Sequence, residues 1–139
     1  MTLKPFLPAI FWLAIVTYLS VTSKLQVPKF QLFAADKIGH AAAYALLVWL
    51  LAWSVWKSKN RALTRGEMFI LFCFAAAYGA LMEWVQGTFF PNRFFEFDDM
   101  LANAAGAYLA VLIVNPLSKS VGPNSTDKYH KIQYQRSSL

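Results

Sequence analysis

Charge is what this sequence has least of. Charged residues fill 14% of its 139 positions, where a soluble globular domain carries about 25%, and hydrophobic residues reach 58% where about 45–50% is usual. A chain of this balance is excluded from the soluble globular class and belongs in lipid. Cysteine is scarcer still: Cys73 stands alone, so no disulfide framework forms within the chain. Set between Phe72 and Phe74 in an apolar block, it is expected to be a buried structural thiol. No repeat of fixed period appears, and the length leaves room for one domain.

Long apolar runs are what the sequence has in abundance. Four of them, at about 5–22, 38–56, 68–86 and 100–117, approach the length of about 20 residues with which a helix crosses a ~30 Å hydrocarbon core. The expectation is an all-α, multi-pass bundle of four transmembrane helices over residues 1–118. Residues 119–139 are expected to be a flexible basic tail, because their Ser, Asn, Lys and Gln leave too little apolar surface to offset chain ordering. The first run is the weakest. Its basic front at Lys4 and its small residues Val21 and Ser23 also resemble a cleavable signal peptide, but no Ala-x-Ala pattern follows and it is read as a retained span.

Lysine and arginine are distributed unevenly about these spans. Nine lie before the first span, between the second and third, and in the tail: Lys4, Lys57, Lys59, Arg61, Arg65, Lys119, Lys128, Lys131 and Arg136. Four lie on the other side: Lys24, Lys29, Lys37 and Arg93. The positive-inside rule then predicts both termini in the cytoplasm. The same distribution accounts for the net charge of +6 through contact with anionic inner-leaflet lipid, so no nucleic-acid partner is expected.

The few polar residues inside the apolar runs are the informative ones, since a charge at mid-helix costs roughly 3 kcal/mol on insertion scales. They gather at one end. His40 opens the second span, Glu83 and Gln86 close the third, and Asp99 and Asn103 open the fourth, with Arg93 and Glu96 in the intervening loop. Helical spacing aligns Asp36, His40 and Tyr44, then Gly79, Glu83 and Gln86, then Asp99, Asn103 and Gly106 into one stripe per helix. Small residues share those faces, Gly39 and Ala43, Ala75 and Gly79, and Ala102, Gly106 and Ala110, which permits close helix contact in lipid. Three helices are thereby expected to converge and hide Glu83 and Asp99 from lipid, near Arg93 and His40. Glu83 is placed roughly 6 Å below the end of its helix, within reach of water or a headgroup.

The order D-K-x-x-H-x-x-x-Y (Asp36, Lys37, His40, Tyr44), E-x-x-Q (Glu83, Gln86) and P-x-R with D-x-x-x-N-x-x-G (Pro91, Arg93, Asp99, Asn103, Gly106) resembles the VanZ-like family of small bacterial membrane proteins. The resemblance runs from about Asp36 to Ala110 and rests on the order and spacing of the three motifs together. It implies a setting in the bacterial cytoplasmic (inner) membrane and a role of the teicoplanin-resistance type, with no molecular activity attached. The loop FFPNRFFEFDDM is richer in Phe than the family pattern, and it is expected to sit deeper in the interface.

Each polar residue admits a functional and a plain reading. His40 is a general base or ligand, or a helix-end histidine bonded to a neighbouring carboxylate or carbonyl. Glu83 marks a binding or acid–base site, or forms a stabilising pair with Arg93. Asp99 and Asn103 hold a cation or, through Arg93, a phosphate-bearing headgroup, or Asp99 caps the fourth helix. Tyr44 and Gln86 are supporting hydrogen-bonders. The candidate binding set is therefore Asp36, Lys37, His40, Tyr44, Glu83, Gln86, Arg93, Asp99 and Asn103, with Glu83, His40 and Asp99 as the candidates should the protein be catalytic. Carboxylates with one His could hold Mg, Mn or Zn, but no spacing is diagnostic, and no metal or cofactor is expected. Three functions remain in view. The first is recognition of an envelope lipid intermediate or a glycopeptide antibiotic beside membrane lipid. The second is hydrolysis or transfer on a lipid-linked ester or phosphate, and the third a purely structural or partner-binding bundle.

Overall fold

The computed structural model describes residues 3–22, 33–90, 95–120 and 134. A short 3-10 turn at Lys4–Phe6 leads into α1 (Leu7–Thr22), followed by α2 (Phe33–Lys59), α3 (Arg65–Phe89) and α4 (Phe97–Ser120). All four are long and apolar enough to cross a membrane, and among the described residues there is no strand. The loop lysines Lys24 and Lys29, Arg93 and the tail beyond Ser120 apart from Tyr134 lie outside the described residues.

The second, third and fourth helices outrun the apolar runs that foretold them. Hydropathy marks the stretch that suits hydrocarbon, whereas a helix continues until a cap or a break satisfies its last backbone groups. Thus α2 begins five residues before Ile38 and carries Asp36 and Lys37 within it, and α3 starts at a capping box. There the Thr64 hydroxyl accepts from the Glu67 backbone N–H at 3.2 Å, and the Glu67 carboxylate accepts from the Thr64 backbone N–H at 2.8 Å. Glu67 also binds Arg61 through both guanidinium nitrogens, at 3.0 and 2.8 Å, and Lys59 at 2.5 Å. The chain turns at Asn60, whose φ of 50° is the left-handed conformation common just past a helix end, with its N–H donating to Trp56 O at 2.9 Å. Two of the basic residues read as markers of orientation are thus also structural. Glu67→Ala removes the box and both ion pairs, and should lower stability by about 1–2 kcal/mol in a thermal or denaturant melt in detergent; an unchanged midpoint would show the cap to be idle.

Unlike a soluble protein, the bundle carries large apolar side chains on its outside as well as within. Its interior is lined by Ala9, Ala52, Ala75, Gly79, Gly106, Ala107 and Ala110, while Phe11, Trp49, Phe69, Ile70, Phe74, Leu112 and Ile113 face outward. Lipid is as apolar as those outward side chains, so association relies on close approach and interhelical hydrogen bonds. The tightest approach is between α2 and α4. A Cβ added to Gly106 would lie 1.9 Å from the carbonyl oxygen of Ala41, so only glycine permits this crossing.

Two apolar layers fill the bundle below its polar end. The first joins Val16, Tyr44, Leu47, Val48, Ala75, Ala107 and Ala110; the second, at the opposite end, joins Ala52, Leu63, Met68 and Val114. The first helix is stitched on by side chains: Trp12 Nε1 donates to Ala43 O at 2.9 Å, Thr17 and Tyr78 share a hydroxyl–hydroxyl bond of 2.5 Å, and the Ser54 hydroxyl lies 2.8 Å from Pro5 O.

One expectation is corrected here. Cys73 is exposed on the outer surface of α3, not buried. The interior face of α3 passes through Met68, Ala75, Gly79, Met82, Glu83 and Gln86, and two residues along a helix turn a side chain about 200° away from Ala75. The flanking phenylalanines suggested burial because a lipid-facing surface reads as apolar as a core.

Candidate functional site

The polar end of the bundle is where α2 and α4 begin and α1 and α3 finish. Five turns of chemistry meet there. Asp36, Lys37 and His40 come from the first two turns of α2, Asp98 and Asp99 from the first turn of α4, and Asn103 from the next turn. Glu83 approaches from α3.

Asp99 is the hub. Lys37 Nζ donates to its Oδ1 at 3.0 Å and lies 3.7 Å from Asp98 Oδ2, while His40 Nε2 is 3.6 Å from Asp99 Oδ2. Because α4 begins at Phe97, Asp99 falls inside the first turn, where its charge favours the helix dipole. Its carboxylate is turned across the interface to α2, so capping is not what its side chain does. The other ring nitrogen, His40 Nδ1, is 3.1 Å from Asn103 Oδ1, and Nε2 is 3.9 Å from Asp36 Oδ1. Ligand atoms of Asp36, His40 and Asp99 all fall within 4.8 Å of one another, close enough to address one ion.

Burial separates the members of this set. Asn103 is 1% exposed and Glu83 2%, whereas the Asp36 side chain is 60% exposed. Glu83 sits in the electrostatic field of Asp99 and His40, with the Glu96 backbone N–H facing its carboxylate. Its helix runs on to Phe89, six residues further, so Glu83 lies about 9 Å below the helix end, deeper than the roughly 6 Å expected from sequence. Asn103 is held in place from α3: a Cβ on Gly79 would come within 3.0 Å of Asn103 Cβ and 3.2 Å of the Tyr44 ring. Tyr44 is buried beneath the cluster and packs against Tyr78 with ring centroids 6.4 Å apart.

Of the sequence-derived candidates, the structure brings Asp36, Lys37, His40, Asp99 and Asn103 into one contact network, with Glu83 beside it and Tyr44 below. Gln86 is turned away, its Nε2 donating to Ser20 O at 2.9 Å and tying α3 to α1. Arg93, and with it the anticipated pair with Glu83, lies outside the described residues. Sequence reasoning missed Asp98 as a partner of Lys37. The signal was present in the doublet Asp98–Asp99 one turn before Asn103, but only one of two adjacent residues fits a helical stripe.

Comparisons with curated proteins and with solved structures return no match. A family model described as VanZ/LLP1 does match, and it reaches beyond the Asp36-to-Ala110 resemblance to take in the first helix as well. With residues 4–118 of its 139 matched by that model, this membrane protein belongs to the VanZ/LLP1 family.

Proposed function

We propose that the polar end of the bundle recognises an amphiphile of the cell envelope, either a lipid-linked intermediate or an amphiphilic glycopeptide antibiotic of the teicoplanin type. In this reading the chain lies in the bacterial cytoplasmic membrane with both termini inside, an orientation supported by the nine-to-four division of Lys and Arg. The cluster then faces the outer surface. The observation that carries the reading is the burial of Glu83, Asp99 and Asn103 together at one end of a bundle whose helices expose many large apolar side chains. Buried polar groups in a membrane are costly and mark sites of function. An amphiphile suits the place, since its tail can rest on the lipid-facing Phe and Leu side chains while its headgroup meets acids, an ammonium and an amide.

Glu83→Gln and Asp99→Asn should weaken binding of a fluorescent envelope lipid or glycopeptide to the protein in nanodiscs by about tenfold or more, equivalent to about 1.4 kcal/mol. The same variants should lose any glycopeptide protection that the parent confers in cells, at equal protein level. Folded variants that bind and protect as well as the parent would overturn the reading.

A second reading is favoured by one observation, the seating of His40 between Asn103 and Asp99. A histidine oriented on one side and faced by a carboxylate on the other is equipped for general-base work, with Glu83 as the alternative base, on a lipid-linked ester or phosphate. Labelled lipid converted to product by the parent and not by His40→Gln separates this enzyme from a receptor that only binds.

A further inference from the structure

We propose that Asp36, His40 and Asp99 form a binding site for a divalent transition-metal ion of the Zn²⁺ or Mn²⁺ class. The proposal concerns the protein's own side chains and does not depend on which amphiphile, if any, meets the polar end.

Three geometric facts point to it. With Asn103 Oδ1 accepting, His40 Nδ1 carries a ring proton, and in the neutral imidazole Nε2 presents a lone pair. Metal-binding histidines are held in this way, the far nitrogen donating to a carbonyl or carboxylate that fixes the ring. Secondly, that lone pair faces two carboxylate oxygens, Asp99 Oδ2 at 3.6 Å and Asp36 Oδ1 at 3.9 Å. Both separations exceed the ordinary hydrogen-bond range of about 2.7–3.2 Å. They suit oxygens that share an ion with the nitrogen, because tetrahedral ligands at about 2.0–2.2 Å from a metal lie about 3.3–3.6 Å apart. The excess of the His40–Asp36 separation is a few tenths of an ångström, and with all three ligand atoms within 4.8 Å of one another the exposed Asp36 side chain at the start of α2 would close on the ion by rotation. Thirdly, Asp99 is itself oriented: Lys37 takes Oδ1 at 3.0 Å and leaves Oδ2 for the site.

Charge points the same way. The described residues place Glu83, Glu96 and Asp98 around the three ligands, with Lys37 as the ammonium among them. A divalent cation would relieve this crowding of carboxylates. One imidazole favours a transition metal over Mg²⁺ or Ca²⁺, whereas two carboxylates and no thiolate keep Mn²⁺ within the class. Three protein ligands leave at least one coordination position for water or a headgroup oxygen.

The test is metal binding by the full-length protein in detergent, stripped with chelator and titrated with Zn²⁺, Mn²⁺ and Mg²⁺ by calorimetry, with Co²⁺ absorption as a coordination-sensitive readout. The parent should bind one equivalent of Zn²⁺ or Mn²⁺ and melt at a higher temperature when loaded. Asp36→Asn, whose exposed side chain leaves the bundle intact, should lose at least tenfold in affinity, and His40→Gln should lose the Co²⁺ bands. His130→Ala, which removes the other histidine, should change neither. The proposal is overturned if the parent shows no saturable binding, if Mg²⁺ binds and the transition metals do not, or if Asp36→Asn and His40→Gln bind as the parent does.

Discussion

Gly106→Ala should leave little folded bundle. The added Cβ would stand 1.9 Å from the Ala41 carbonyl oxygen, 2.6 Å from its carbonyl carbon and 2.7 Å from its Cα. All three are backbone atoms, so no side chain can rotate aside and α2 must back away from α4 along its length. Overpacking costs typically about 1–3 kcal/mol, and occasionally more; a clash of backbone with Cβ belongs at or above the upper end. Because the same crossing brings His40 to Asn103 and Lys37 to Asp99, the polar end should come apart with it. Gly39→Ala is the matched control. Nothing lies within 4 Å of its Cβ, and the better helix former should leave stability unchanged or raised by up to about 1 kcal/mol. Thermal or detergent unfolding midpoints of the two variants provide the comparison, and equal midpoints would mean that α2 and α4 are not in this contact.

Lys37→Met should produce the next largest loss, for an electrostatic reason. It leaves Asp99, nearly enclosed, facing Asp98 and Asp36 without the ammonium that Lys37 supplies at 3.0 Å. Removing one partner of a fully buried pair costs about 3–5 kcal/mol; with the Lys37 side chain 22% exposed, water screens part of this, and about 2 kcal/mol is expected. The double variant Lys37→Met with Asp99→Asn should recover much of the loss, since the stranded charge is then gone. A double-mutant cycle on the unfolding midpoints should return a coupling of about 1–2 kcal/mol. Strict additivity would show that the two residues do not act as a pair.

The ease with which the spans can be read follows from a large effect. A helix must keep charge out of hydrocarbon, so four long runs and the gathering of His40, Glu83, Asp99 and Asn103 at one end are visible in a string of letters. Spacing also assigns a common face, which is why Asp36, His40 and Tyr44 fall in line. It does not say which neighbour that face meets. Gln86 shares the stripe of Glu83 yet turns to Ser20 on α1, because the two side chains lie about 60° apart around the axis after three residues and different helices flank them. Helix ends were hidden for another reason: Thr64 with Glu67 lies outside the apolar run, where hydropathy carries no information and the capping pair must be sought by itself. Cys73 was misplaced because lipid-facing and buried surfaces share a composition in a membrane protein.

The layers beneath the polar end carry one more consequence. A solute drawn to Asp99 and Asn103 meets Tyr44, Leu47 and Ala107 underneath, and beyond them Ala52, Met68 and Val114. Among the described residues these are two apolar layers between the polar end and the opposite end of the bundle. Under the proposed function, a ligand seated at the polar end would rest on these apolar layers, and its uptake and release are expected at that same end.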